Sequence, residues 1–276
     1  MKRGLVLEGG AMRGMYTAGV LDIFIEKGLY FDEIVGVSAG ALFGVNLLSK
    51  QKGRVIRYNK KYNKDKNYMG LGPLLKTGNI VDIDYAYRRV PFELDVFDDE
   101  MYQKSPSAFY AVVTNMETGQ AEYPRIKSVF KQMDQLRASG SMPFFSKPVK
   151  IQEDLYLDGA IADSIPVDFI LNKGCQEIVV ILTKPHGYRK TPISPRLANL
   201  FYKKKYPNFA EKIRNRHIMY NQQMEKLMEL EKEGIAMVIR PSSPIQIDRI
   251  EKNPEKMEAL YQLGLSDGRG FCKELE

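Results

Sequence analysis

The 276-residue chain predicts an α/β protein, a mixed and mainly parallel central sheet flanked by helices. Three observations carry that prediction. Short β-branched apolar runs at 33–37, 108–114 and 177–183 have the length of strands and the composition of buried ones. Apolar residues at helical spacing alternate with these runs, and strand–helix–strand–helix order requires right-handed crossovers. Turns of small residues, Gly9-Gly10-Ala11 and Gly36-Val37-Ser38-Ala39-Gly40, stand at the strand-to-helix junctions. Both therefore fall on one edge of the sheet, at the C-terminal ends of its strands.

Residues 4–7 are the first strand. The following Gly-rich stretch opens a helix to about Lys27, with Tyr16, Val20, Leu21, Phe24 and Ile25 in register and Gly28 as C-cap. Strand 33–37 runs into Ser38, and 39–48 is the next helix. Residues 51–66 carry Lys52, Arg54, Arg57, Lys60, Lys61, Lys64 and Lys66 against Asp65, with Tyr58 and Tyr62 four apart. The expectation there is a solvated helix face or a surface for acidic headgroups. Residues 67–107 have weak periodicity and are expected to cover the site, with short helices near 83–88 and 98–104. Strand 108–114 takes 120–126 as its partner. Ser128 is expected to cap a helix to Ala138. Tyr156-Leu157 leads into Asp158-Gly159-Ala160, and Asp163 is expected to begin a helix with Pro166 in its first turn. Phe209, Ile213, Tyr220, Met224 and Leu227 mark a long helix to Gly234. A last strand, 235–240, precedes a helix opened by Asn253-Pro254. The whole is expected to be one domain, with 67–107 and 185–232 as covering or helical insertions.

The two Cys, Cys175 and Cys272, are too few for a disulfide framework or a zinc cage. A net charge of +7 suggests an acidic partner, nucleic acid or an anionic membrane, but a mildly basic, well-solvated surface is the first expectation of the three. No zinc spacing, aromatic–basic motif or helix-turn-helix signature supports nucleic acid, so none is expected. The first apolar run is too short for a signal core or a membrane span. The expectation is a cytoplasmic protein, peripheral to a membrane at most; no feature sets its oligomeric state.

Gly36-Val37-Ser38-Ala39-Gly40 matches the G-x-S-x-G nucleophile elbow, in which a sharp turn holds the Ser hydroxyl over a helix N-terminus. The stretch Gly9-Gly10-Ala11-Met12-Arg13-Gly14 admits two readings. As a dinucleotide loop it has Ala11 where the backbone must approach a pyrophosphate, and no acid ends the second strand. As an oxyanion hole, its small residues at a helix start present N–H groups to developing negative charge, and Arg13 adds positive charge. An exposed Ser on the neighbouring strand favours the second. A Ser needs a base. Ser38–Asp158 with His186 or His217 is formally a triad in chain order, but the elbow comes too early for that fold, and His217 sits inside the long helix.

Glu8-Gly9-Gly10-Ala11-Met12-Arg13-Gly14, Gly36-Val37-Ser38-Ala39-Gly40 and Asp158-Gly159-Ala160, with Ala138-Ser139-Gly140-Ser141-Met142-Pro143 between, resemble the blocks of the patatin-like phospholipases. The similarity runs over nearly the whole chain; Ala11 and Ala160 stand where many members have Gly. The resemblance implies a patatin-like three-layer sandwich and a serine esterase that hydrolyses lipid acyl esters. It also implies a Ser38–Asp158 dyad without His, and no metal or cofactor. A lipid or acyl-ester substrate is the implied partner. A non-catalytic lipid-binding or scaffolding protein on the same fold is the alternative from another class, and a dinucleotide-binding protein a weaker one.

Overall fold

The computed structural model describes residues 1–244 and 246–275. The chain begins with β1 (Arg3–Leu7), α1 (Gly14–Lys27), β2 (Glu33–Val37), α2 (Ala39–Leu48) and α3 (Arg54–Tyr62). Then follow α4 (Leu71–Thr77), a π-helix (Tyr85–Leu94), α5 (Asp99–Lys104), β3 (Ala108–Asn115), β4 (Ala121–Glu122) and α6 (Met133–Ser139). After β5 (Val149–Ile151), β6 (Asp154–Asp158), α7 (Val167–Asn172) and β7 (Glu177–Ile181) come α8 (Pro195–Ala198), α9 (Pro207–Lys232), β8 (Ala236–Ile239) and α10 (Pro254–Leu275).

The sheet has 8 strands in the order β5-β6-β3-β2-β1-β7-β8, with β4 paired to β3. β3, β2, β1, β7 and β8 are mutually parallel, β4 and β6 pair antiparallel with β3, and β5 pairs antiparallel with β6. β1 is central, with Leu7 opposite Gly36 on one side and Ile181 on the other. Every residue of β2 and β3 is buried, as expected of strands covered on both faces. The N-terminal loop, the Ser38 turn and the end of β7 consequently meet at one edge.

One face is covered by α1, α2 and α10, with Leu5, Leu7, Tyr16, Phe24 and Phe109 in its core. There α1 and α10 approach so closely that a Cβ on Gly264 would lie 2.1 Å from the Tyr16 carbonyl oxygen. The other face is covered by α7 and α9, through Val6, Val35, Val37, Val180, Tyr220 and Leu227. Removing one of these large buried side chains costs about 2–5 kcal/mol. Residues 207–232 thus build a full helical layer of the sandwich.

Several local expectations are corrected. Ser128 does not cap α6, which starts at Met133 with Gln132 before it. The Ser128 hydroxyl donates to Asp99, 2.7 Å away, and accepts the Lys131 amide at 3.2 Å, so it caps the turn ahead of α6. Asp163 does not open α7, whose N-cap is Pro166; its carboxylate accepts from Tyr123 and Gln223. α4 and β5 were not anticipated, and the helix expected near 83–88 is a π-helix running on to Leu94. α3 is amphipathic: Arg54, Tyr58 and Tyr62 are buried, while Arg57 and Lys61 on the helix and Lys52, Lys64 and Lys66 beside it are exposed. Arg54 and Arg57 share Asp95, and Lys52 and Lys60 pair with Glu26 and Glu258. The pair with Asp95 fastens the end of the π-helix to α3.

Candidate active site

β2 delivers Ser38 at the sheet edge with φ 54° and ψ −121°, a conformation that disfavours any residue with a Cβ. Its surroundings impose the strain. The Ser38 carbonyl accepts from Ala41 and Leu42 at the start of α2. The Ser38 amide donates to the Ser139 hydroxyl at 2.9 Å. Gly40 must lack a side chain because a Cβ there would lie 2.4 Å from the Leu7 carbonyl oxygen, and one on Gly36 would strike Ala41.

The Ser38 hydroxyl donates to Asp158 Oδ2 at 2.8 Å, and Asp158 Oδ1 accepts the Ala160 amide at 2.9 Å. The two side chains come from opposite sides of β3, 120 residues apart in sequence. Gly159 permits the approach: a Cβ there would lie 2.2 Å from the Val112 carbonyl oxygen. Ser38 is 7% and Asp158 5% exposed, so the bond is shielded from bulk solvent. Burial raises the Asp158 carboxyl above its ordinary range, against the lowering pull of Arg216, the Ala160 amide, Ser38 and Lys190. A carboxylate so raised is a stronger base than an exposed one. His186 is exposed beyond β7, and His217 Nδ1 lies 3.0 Å from the Arg214 carbonyl oxygen. Neither histidine bonds to Ser38 or Asp158.

The Gly-rich loop lies against this pair: a Cβ on Gly9 would come within 2.9 Å of the Ser38 Cβ. Ala11 takes φ 49°, a conformation in which Gly would be unstrained. The Met12 amide donates to the Arg249 carbonyl, the Arg13 amide to Gly10 and the Gly14 amide back to Ala11 and Met12. Among the described residues the amides of Gly9, Gly10 and Ala11 meet no acceptor, so these three hold the free donors of the predicted loop. Glu8 anchors the loop, accepting from the Tyr220 hydroxyl at 2.9 Å and the Thr183 hydroxyl at 3.0 Å.

From Ser38 a cavity of about 150 Å³ runs between α2, α3, the π-helix and α6. Leu42, Phe43, Tyr68, Val90, Leu136 and Met142 are among its walls. No group of histidine, cysteine and carboxylate side chains suited to a metal occurs among the described residues.

Sequence reasoning assigned no role to Ser139 or Glu8, although both stand inside quoted blocks. It missed Arg216, Arg249, Lys184 and Lys190 altogether, because single cations on a polar helix or a loop carry no local signal.

A family model described as patatin-like phospholipase matches residues 5–171, and one described as a domain of unknown function matches residues 206–276. The chain is 30% identical over 198 residues to the uncharacterized protein YjjU of Escherichia coli (strain K12), covering 68% of this chain and 54% of that protein. It is 24% identical over 303 residues to the patatin-like phospholipase domain-containing protein ZK370.4 of Caenorhabditis elegans, covering 99% and 20%. With lysophospholipase nte1 of Aspergillus niger it shares 26% identity over 188 residues, covering 64% and 12%. This chain thus spans from about an eighth to about half the length of these relatives. Among solved structures, VipD from Legionella pneumophila aligns with a TM-score of 0.47 at 12% identity, over 99% of this chain and 67% of that one. With the Gly-rich loop, the Ser38 elbow and the Asp158 block all inside the matched residues 5–171, the chain belongs to the patatin-like phospholipase family.

Proposed function

We propose that this protein is a serine hydrolase of lipid acyl esters, working through a Ser38–Asp158 dyad. The observation that carries the proposal is the 2.8 Å bond from a strained, buried Ser hydroxyl to a buried carboxylate of raised pKa. Asp158 takes the hydroxyl proton as Ser38 Oγ attacks the ester carbonyl. The amides of Gly9, Gly10 and Ala11 stabilise the oxyanion. As the carbonyl re-forms, the C–O bond to the alcohol breaks and the alcohol leaves with the proton. A water then attacks the acyl-enzyme, Asp158 taking its proton, and the fatty acid departs with Ser38 restored. The dyad supplies nucleophile and base by itself, so the reaction calls for no cofactor.

A lipid substrate is supported by the apolar walls of the cavity, which suit an acyl chain, and by the family. Contact with an anionic membrane belongs to this proposal, but on a different surface from the basic stretch 51–66, whose charges are largely paired. Leu71 and Leu75 on α4, with Phe145, Leu200 and Phe201, are exposed. Phe144 contacts Phe201 with ring centres 5.6 Å apart, and Phe145 accepts the Ile80 amide, so these segments adjoin. Lys76, Lys147, Lys203 and Lys204 are exposed on the same segments. Each lysine near an anionic surface contributes about 1 kcal/mol. Among the described residues no helix is long and apolar enough to cross a membrane.

The test is fatty-acid release from a fluorogenic acyl ester. The wild type should turn over and Ser38→Ala should fall to background; a folded Ser38→Ala protein with full activity would overturn the proposal.

A further inference from the structure

On the side of Ser38 away from the apolar cavity the walls are cationic. Lys184 and Lys190 come from the segment after β7, Arg216 from α9, and Arg249 from the segment before α10. Arg249 touches both regions, because it lines the cavity with Ser38 and its carbonyl accepts the Met12 amide of the Gly-rich loop. Arg216 stands one turn before Tyr220 on α9, on the same helix face. Lys190 Nζ lies 4.6 Å from the centre of the Tyr220 ring, whose hydroxyl bonds to Glu8. Its backbone is held to α9 through both polar atoms of the Asn221 side chain. Lys184 Nζ lies 5.0 Å over the Tyr188 ring, which itself meets Tyr220.

None of these cations forms an ion pair among the described residues, although the charges of Asp158 and Glu8 act on them from nearby. The ion pairs of the described residues involve other lysines and arginines. Arg216 Nε is buried with no hydrogen-bond partner at all. The nearby carboxylates are Glu8, already satisfied by Tyr220 and Thr183, and Asp158, engaged by Ser38 and Ala160. Burial, and then the neighbouring Arg216, push Lys190 down to about 7; burial, and then Arg13, push Lys184 down to about 8. Lys184, Lys190 and Arg216, unpaired and partly desolvated, are costly to keep beside one another, and Arg249 adds an exposed like charge. Their cost falls when a ligand of matching negative charge enters.

We propose that Lys184, Lys190, Arg216 and Arg249, with Arg13 at the rim, form a phosphate-binding recess beside Ser38, so that the preferred substrate is an acyl ester bearing a phosphate without a compensating cation. The proposal rests on the hydrolase reading of Ser38 and names its substrate class. A phosphate monoester carries about −1.5 to −2 charges at neutral pH and offers several acceptor oxygens, which suits guanidinium and ammonium donors converging from three segments. A single carboxylate would leave the recess overcharged. A phosphocholine headgroup would bring a quaternary ammonium among like charges.

The test compares kcat/KM for three esters of one acyl chain, oleoyl glycerol phosphate, monooleoylglycerol and oleoyl glycerophosphocholine, in micelles of a neutral detergent. Inorganic phosphate is the second probe. The phosphate ester should exceed the other two by at least about tenfold, the yield of one charge-assisted hydrogen bond. That ratio should drop toward one in Lys190→Ala and in Arg249→Gln and recover in Lys190→Arg, and inorganic phosphate should inhibit competitively in wild type. Equal turnover of all three esters with phosphate inhibition intact would assign the recess to free phosphate and overturn the headgroup claim. Equal turnover without inhibition would overturn the recess itself. If no ester is turned over, the hydrolase reading fails alone; phosphate binding by calorimetry, wild type against Lys190→Ala, still decides the recess, and its absence in wild type would overturn it.

Discussion

The two sides of Ser38 differ as the two ends of an amphiphile do. Toward α2, α3 and the π-helix the walls are Leu, Phe, Val and Met, and the one buried cation there, Arg54, is neutralised by Asp95. Toward α9 and the segment after β7 stand Lys184, Lys190 and Arg216, none of which forms an ion pair among the described residues, whereas Arg189 of the same segment pairs with Glu225. The layers of the fold account for the contrast. The cavity opens over the sheet face packed by α1, α2 and α10, whereas the cations belong to the elements on and beyond the face packed by α9. Ser38 and Asp158, joined by their hydrogen bond, sit on the sheet edge between them. An ester bond placed at Ser38 would have its acyl chain in one region and its headgroup in the other.

The largest expected effect comes from the dyad that joins the two regions. Asp158→Asn should lower kcat about 10⁴-fold, as when a proton-accepting carboxylate is neutralised elsewhere. It should not lower thermal stability. Burial raises the folded-state pKa of Asp158, so the folded protein binds more protons than the unfolded chain between the two pKa values. Stability therefore falls as pH rises through that window and stays reduced above it. The uncharged Asn escapes that cost, and its melting temperature at neutral pH should equal or exceed wild type. A variant that is both inactive and markedly less stable would make Asp158 a structural residue. In wild type kcat/KM should decline in acid at a pH above the ordinary carboxylate range; a decline only at the ordinary value would argue against the buried base.

A smaller effect is expected at the Gly-rich loop. A Cβ on Gly10 would lie 2.7 Å from Thr183 Oγ1, so Gly10→Val must displace the loop. The loss should reach roughly 10²–10³ in kcat with little change in KM, the scale of one oxyanion donor. A rise in KM with kcat preserved would make the loop a binding element only. The smallest effect belongs to the apolar side. Leu42→Trp should fill part of the cavity and reduce kcat/KM for a long-chain ester relative to a butyryl ester, by about 10–200-fold. An unchanged chain-length profile would remove the acyl chain from this cavity.

The same division marks what was legible in the sequence. From β1 to α2 each element follows from local pattern: apolar runs, helical spacing, Gly28 at the C-cap with φ 67°, and small residues where the chains nearly touch. Elements set by distant partners were misread. Ser128 caps only a turn ahead of α6 while its hydroxyl donates to Asp99 from another segment, and Asp163 is claimed by Tyr123 and Gln223. The burial of Arg54 on the basic helix was not legible because Asp95, which neutralises Arg54 and Arg57, lies about forty residues away. The motif blocks marked Ser38 and Asp158 as candidates, and the fold brings them together. The proposed cationic recess has no motif: its members are scattered singly over segments that meet only in the folded chain.

The central claim, that Ser38 is a nucleophile activated by Asp158, is tested most directly by intact-mass and peptide mapping after reaction with a fluorophosphonate. The account predicts one adduct, on Ser38, formed rapidly by wild type, slowly by Asp158→Asn and not at all by Ser38→Ala. An adduct on another residue, or unchanged labelling rates in Asp158→Asn, would contradict it.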